Sequence, residues 1–395
     1  MKLCKTVLLM LIFANPLFAD SPVDGTKVGF KKHTLDSDFR SEGVTAADFN
    51  NDGKTDIAAG FVWYEAPDWK LHKITADAKT YEPKNYSNSF VTFSQDMNSD
   101  GWMDVIVVDF PGTPTWWFEN PKNQDGSWAR HTVTPVSNNE SPQFLDLTGD
   151  GKREFVMAVN SDAKKPDGPE RQMAFLRQPS SPTELWQIQT VSVKGAPATT
   201  KYSHGLGIGD VNKDGRNDIL VKDGWWEAAD GFANGEWKFH AESFGEDCSH
   251  MYVYDFDGDG DHDVLSASAH KFGIWWHEKK ADGTWEQHTI DDTFSQTHSV
   301  MLVDINGDGL KDFVTGKRWW AHGGRDPGGD EPAMLYWFEL KRVGGKATWK
   351  RHEIDHNSGI GTQFDVADVN GDGLIDIVTS NKKGVHYFEQ TRAAE

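Results

Sequence analysis

Short apolar runs of strand length recur along the chain, each in a fixed relation to a polar loop. An alternating or apolar run precedes the loop, as in Met251-Tyr-Val-Tyr254 and Ser299-Val-Met-Leu-Val303. A β-branched run follows it, as in Val105-Ile-Val-Val108, Phe313-Val-Thr315 and Ile377-Val-Thr379. Both have the length and composition of strands. An aromatic run comes third: Trp116-Trp-Phe118, Trp225-Trp226, Trp275-Trp276, Tyr336-Trp-Phe338, Tyr387-Phe388. The fourth segment reads Trp-x-x-His, from Trp69 to His72, Trp128 to His131, Trp237 to His240, Trp285 to His288 and Trp349 to His352; the copy at Trp186 ends in Gln189. Four short antiparallel strands per unit, in seven successive units, predict an all-β fold, a seven-bladed β-propeller. The unbroken period makes residues 20–395 a single domain. The chain begins with a fourth-type segment, Phe30–Leu35, and ends after a third-type segment, Val385–Phe388. The N-terminal strand is therefore expected to complete the last blade and remove the open edges. With no free edge, a monomer is the default expectation.

The loops themselves carry chemistry. Most read Asp-x-Asn/Asp-x-Asp-Gly-x-x-Asp, and they join the first and second strands of each unit. Oxygen side chains at positions 1, 3, 5 and 9 suit a hard cation such as Ca²⁺. The expected ligands are Asp48, Asn50, Asp52 and Asp56; Asp96, Asn98, Asp100 and Asp104; Asp146, Asp150 and Glu154; Asp210, Asn212, Asp214 and Asp218; Asp255, Asp257, Asp259 and Asp263; Asp304, Asn306, Asp308 and Asp312; and Asp368, Asn370, Asp372 and Asp376. The third loop, with Thr148 at position 3, is expected to bind most weakly, and the fifth most tightly. About 22 of the 61 acidic residues sit in these loops, so the net charge of −21 is largely a metal-site signature. It still argues against a nucleic-acid partner, which needs a basic face.

Residues 1–19, with Lys2 and Lys5 before the apolar stretch Val7–Phe13, are expected to be a secretory signal peptide, placing the protein in the periplasm or outside the cell. The stretch is too short to span a membrane. Removing it removes Cys4 and leaves Cys248 without a disulfide partner.

The loops and their flanks resemble the FG-GAP/VCBS repeat family, which also forms integrin α-subunit propellers. The segments His250-Met-Tyr-Val-Tyr254, Ser266-Ala-Ser-Ala-His270, Thr315-Gly-Lys-Arg-Trp319 and Thr379-Ser-Asn-Lys-Lys383 are similar to secreted bacterial relatives of the propeller part of aldos-2-ulose dehydratase. That resemblance implies elimination of water from keto-sugars. Seven-bladed propellers also serve polysaccharide lyases, including ulvan lyases with a His/Tyr pair.

Six histidines, His33, His72, His131, His240, His288 and His352, recur at one fourth-strand position, and a residue repeated in nearly every unit is expected to be structural. His204, His250 and His298 stand instead at first-strand starts of three adjacent units, and His270 in a second-to-third connection. All four are expected to meet at the face opposite the metal loops. The same connections hold Lys222, Lys271, Lys317, Arg318, Lys382 and Lys383, a cationic rim suited to an anionic or carbonyl-bearing sugar. The long connections Ala78–Ser89, Asn160–Gln172 and His322–Glu331 rise on that face, and Trp225, Trp319 and Trp320 are candidates to stack on sugar rings. The leading expectation is a carbohydrate-active lyase or dehydratase working by β-elimination: His204 or His298 as base, Lys317, Arg318 or His270 near the enolate, Tyr202 as acid. Alternatively His204, His250 and His298 hold Zn²⁺ or another divalent metal. A non-catalytic glycan- or protein-binding propeller is the second reading. Hydrolysis by paired carboxylates is a distant third, with Glu42 and Glu140 its nearest candidates.

Overall fold

The computed structural model describes residues 26–394; the expected signal segment and Cys4 lie outside them. The described chain is all-β. Twenty-seven strands account for its regular structure, with only two short 3₁₀ turns, Asp230–Phe232 and Ala321–Gly324. No helix among the described residues is long and apolar enough to cross a membrane.

Each metal-type loop is followed directly by a strand that opens on the loop's ninth residue: Asp56–Ala59, Asp104–Val108, Glu154–Asn160, Asp218–Val221, Asp263–Ala267, Asp312–Gly316 and Asp376–Asn381. Every residue of these seven strands is buried, which explains their nearly continuous apolar composition: both faces pack against neighbouring sheets. The strands at the outer edge, such as Lys70–Lys73 and Lys238–Ala241, have exposed ends and half-buried centres.

Hydrogen bonding divides the strands into five sheets. Three contain four strands each. The other two are larger because neighbouring groups share a connection. The strand Ala129–Leu145 pairs through its first half with Thr113–Glu119 and through its second half with Glu154–Asn160. The strands Leu206–Gly209 and His250–Tyr254 pair in parallel, Leu206 opposite His250. The innermost strands touch in chain order from Thr45–Ala47 to Val300–Val303, and Asp365–Ala367 contacts Thr45–Ala47. Gln363 reinforces that return: its amide bonds Val44 through both the backbone N–H and the carbonyl.

The first strand, Thr26–Asp36, pairs antiparallel with the last, Gly384–Ala394, from Thr26 opposite Ala394 to Asp36 opposite Val385. The N-terminus thus joins the sheet of the C-terminus, as expected from the two incomplete ends of the sequence. Core clusters lie between sheets: Val44, Ile57 and Tyr64 pack with Val314 and Trp337 and with Ile377, Val385 and Phe388 in one of them.

Candidate functional site

The two ends of the strands carry different polar architecture. On the loop face the ninth-position acid braces the backbone. In six loops one of its oxygens accepts the N–H of loop position 2 and the other an N–H at the end of the third strand. Asp56 takes Phe49 and Ala66; Asp104, Met97 and Asn120; Asp218, Val211 and Ala228; Asp263, Phe256 and Lys279; Asp312, Ile305 and Leu340; Asp376, Val369 and Gln390. Glu154 accepts from Leu147 N–H and the Thr148 hydroxyl. Burial pushes the carboxyls up, to about 6 for Asp56 and about 7 for Asp104, Asp218, Asp263 and Asp312. Besides offering oxygen to a cation, position 9 thus has a second part: Asp56, Asp104, Glu154, Asp218, Asp263, Asp312 and Asp376 tie loop to sheet.

Positions 1, 3 and 5 line the loop, from buried Asp257 to exposed Asp259. The carboxylates of Asp255, Asp257 and Asp259 offer oxygens within 4.8 Å of one another, an all-oxygen set that fits a hard cation. In three other loops a basic side chain occupies the fifth position's carboxylate: Lys54 on Asp52 at 2.8 Å, Lys122 on Asp100 at 3.0 Å and Arg216 on Asp214 at 2.6 Å.

The opposite face gathers a buried polar cluster. The residue six positions before the first loop aspartate is Glu42, Glu140, His204 or His298 in four of the units. Common spacing brings them to common depth. His204 Nε2 and His298 Nε2 each lie 3.3 Å from Glu140 Oε2. His270 Nε2 is 2.8 Å from His204 Nε2, and its Nδ1 is 2.9 Å from Asp326 Oδ2. Asp326 also meets His322 Nδ1 at 3.0 Å, and the His270 and His322 rings stack. Arg318 approaches Glu140 at 4.0 Å and Glu42 at 3.7 Å, and Lys382 approaches Glu42 at 3.8 Å. His298 is 0 % exposed, and its Nδ1 has no partner among the described residues.

Glu140 owes its orientation to a break in the shared strand. Asn139 adopts φ 78°, the left-handed region, where the sheet register shifts. Burial would raise the Glu140 carboxyl, but His204 and His298 outweigh it and hold it well below its ordinary range. Burial, with the Arg318 charge, holds His298 well below the usual histidine value, so its imidazole is neutral. Burial also lowers His270, against the pull of Asp326.

Two long connections cover the cluster. Tyr86, from the Ala78–Ser89 segment, lies beneath Lys382 and Arg318, at 4.3 and 5.6 Å from ring centre to charge. The Tyr86 hydroxyl accepts the His322 N–H at 2.9 Å, clasping this segment to the Trp319–Glu331 segment.

The sequence-predicted set divides on this map. His204, His270, His298 and Arg318 converge. His250 does not: its Nδ1 meets Ser299 Oγ at 3.2 Å, and burial lowers it to about 4. It stands five residues before Asp255, whereas His204 and His298 stand six before theirs, and in a strand one residue exchanges faces. Lys317 is buried beside Ser295 and Gln296, at 3.4 Å from each. Tyr202 is 48 % exposed and packs against Phe110 and Lys201. Trp225 is buried and stacks on His240. Cys248 is buried, its thiol pushed up to about 12 and bonded to the Phe244 carbonyl. The sequence reading brings the connections Ala78–Ser89 and His322–Glu331 to this face but does not single out Tyr86, His322 or Asp326 within them, because no repeat marks those residues. Glu140 had been weighed only for hydrolysis.

The six recurrent histidines have one local environment. Each bonds a carboxylate through Nε2: His33 with Glu389, His72 with Glu65, His131 with Glu119, His240 with Glu227, His288 with Glu278, His352 with Glu339, at 2.7 to 3.1 Å. Each also stacks on an aromatic ring of the adjacent strand, Tyr387, Trp63, Trp117, Trp225, Trp276 or Trp337. They are structural.

Among solved structures, the chain is similar to an Agrocybe aegerita lectin that recognises non-reducing terminal N-acetylglucosamine, with 15 % identity, 89 % of this chain and 84 % of that chain covered, and a TM-score of 0.48. It is also similar to the rhamnogalacturonan lyase YesW, with 13 % identity, 93 % and 75 % coverage, and a TM-score of 0.46. No curated protein matches it in sequence. A family model described as FG-GAP-like repeat matches residues 96–157 and 255–315, each spanning a metal-type loop and its flanking strands. The chain therefore carries FG-GAP-like repeats.

Proposed function

We propose that the protein is a carbohydrate-active lyase or dehydratase that acts by β-elimination on a keto-sugar or uronic-acid glycan, on a seven-bladed β-propeller stabilised by Ca²⁺. The observation that carries the reading is the buried group of His298, Glu140, His204 and Arg318. β-Elimination needs a neutral base for the proton α to a carbonyl, and a cation for the enolate that develops. His298 supplies the first: an imidazole kept neutral by burial and by Arg318. Arg318 supplies the second, with Nε and one terminal nitrogen free of hydrogen-bond partners among the described residues. Glu140 holds His298 and His204 in place. The proton that His298 takes up has to reach the departing oxygen, and His204 and His270, which meet Nε2 to Nε2 at 2.8 Å with His270 oriented by Asp326, are our candidates to relay it.

The same nitrogens fit a transition metal. His204, His270 and His298 offer ligand atoms within 4.8 Å of one another, a three-histidine donor set suited to Zn²⁺. Such an ion, when bound, supplies Lewis acidity toward the substrate carbonyl. The donor set includes His270 in place of His250.

Blade count rests on strand groups of four, on the double use of Ala129–Leu145, and on the pairing of the first strand with the last. Secretion rests on the N-terminal sequence alone.

The test is ultraviolet absorbance at the wavelength of a conjugated product, with uronic-acid polysaccharides and 2- or 3-keto sugars as substrates. A rise that His298→Ala abolishes is the expected result. A flat trace with glycan binding retained favours a non-catalytic glycan-binding propeller, a reading supported by the partly exposed Trp319 and Trp320, with Lys383 over Trp319 at 4.1 Å and Lys84 over Trp320 at 4.4 Å.

A further inference from the structure

Beside the histidines lies a second buried group that the elimination chemistry does not use in full. Glu42 is 1 % exposed, and neither carboxylate oxygen has a hydrogen-bond partner among the described residues. Arg318 and Lys382 flank it at 3.7 and 3.8 Å, beyond hydrogen-bonding reach. Arg318 Nε and one terminal nitrogen are likewise unpartnered. Lys382 donates to the Trp320 carbonyl at 3.3 Å. Buried charges with unmet hydrogen bonds are costly. Four such atoms meet where Tyr86 packs against Arg318 and Lys382, and they point to a polar ligand.

The donor and acceptor pattern defines that ligand. An acceptor, Glu42, stands between two donors. A hydroxyl both donates and accepts, so two adjacent hydroxyls on a sugar ring satisfy all three side chains. A substrate carboxylate offers only acceptors and would set its charge against Glu42 and, beyond Arg318, Glu140.

We propose that Glu42, Arg318, Lys382 and Tyr86 form a subsite for a neutral vicinal diol of a sugar ring, adjoining the histidine cluster. The proposal rests on the carbohydrate reading above and narrows it: the ring held here is uncharged, so the subsite discriminates against a uronate.

Calorimetry with methyl β-glucoside and methyl β-glucuronide as probes tests it on the purified full chain. The expected result is a preference for the glucoside of about tenfold or more. Glu42→Gln keeps the shape but replaces one acceptor oxygen by an NH₂ donor; it should weaken the glucoside about tenfold and strengthen the glucuronide, with melting unchanged. Should Glu42→Gln fail to fold, Lys382→Met is the second variant and should also weaken the glucoside. Preference for the glucuronide, binding of neither probe, or unaltered glucoside affinity in both variants overturns the subsite. The elimination assay is independent of these outcomes. A protein that eliminates from uronates and prefers glucuronide loses the diol subsite and keeps the lyase reading; a protein that binds glucoside without turnover of any substrate does the reverse.

Discussion

Two populations of histidine occupy this molecule. The outer six repeat, and each is paired with one glutamate and stacked on one aromatic ring. The inner three, His204, His270 and His298, do not repeat, and they face one another. The outer set shows how a propeller-type sheet uses an imidazole to fasten its third and fourth strands. The inner set shows the cost of crowding: three imidazoles share Glu140 and Asp326 beside Arg318, so at least His298 must stay neutral. Repetition marks structure; departure from repetition at a fixed depth is where the proposed chemistry is sought.

The largest expected effect separates the two sets by activity. His298→Ala should lower kcat on a turned-over substrate by about 10²- to 10⁴-fold, the range for losing a general base, with the melting temperature nearly unchanged. His352→Ala, in the outer set, should leave kcat within about twofold. Equal losses in both would erase the distinction between the sets.

Stability should answer next, and on the other face. Chelation with EDTA is expected to lower melting by on the order of 10 °C if several loops hold Ca²⁺, because binding to the native state adds directly to stability. Asp257→Asn should reproduce more of that loss than Asp52→Asn, since Lys54 already pairs with Asp52. An unchanged melting curve in chelator would remove cations from the account.

A third effect follows from burial without a carboxylate partner. His277, bonded to Ser266 Oγ at 2.9 Å, is lowered to about 4 by burial. Between about 4 and 6.5 the unfolded chain binds the proton that the folded chain refuses. Its contribution is therefore fully present above 6.5 and is lost as pH falls toward 4. Denaturant unfolding of the wild type and His277→Gln should diverge by on the order of 3 kcal/mol across that window, the wild type losing more. Parallel curves would show that His277 is protonated in the fold.

The smallest effect belongs to the outer set. Removing a half-exposed ion pair and one stacked ring costs about 1 kcal/mol, so His240→Ala should shift melting by a few degrees at most. A shift as large as that of chelation would mean that the ladder, and not the loops, holds the sheets.

Much of this was legible in the sequence because a repeat compares a chain with itself. The strands, the loops and the structural role of His72 or His352 follow from period alone. So did the joining of Phe30–Leu35 to the last sheet. The candidate site was half legible. His204 and His298 were found by their place before the loop, and counting one residue more carefully would have removed His250 and admitted Glu140 and Glu42. Asp326, His322 and Tyr86 are marked only by the length of the connections that carry them, not by any spacing of their own. They reach the cluster through folded-back connections whose path depends on tertiary contact, such as the bond from His322 N–H to Tyr86. The brace formed by the ninth loop acid was hidden for another reason: an aspartate that accepts two backbone N–H groups and one that grips a cation look the same in sequence.

The pairing of the first strand with the last has a consequence in time. Lys31 and Glu389, neighbours in that sheet, are 358 residues apart in the chain. Contacts between segments that far apart close a long loop of chain, so this sheet is expected to form late and slowly in folding. Removing Thr26–Asp36 would leave Gly384–Ala394 as an unpaired β-edge, open to pairing with another chain.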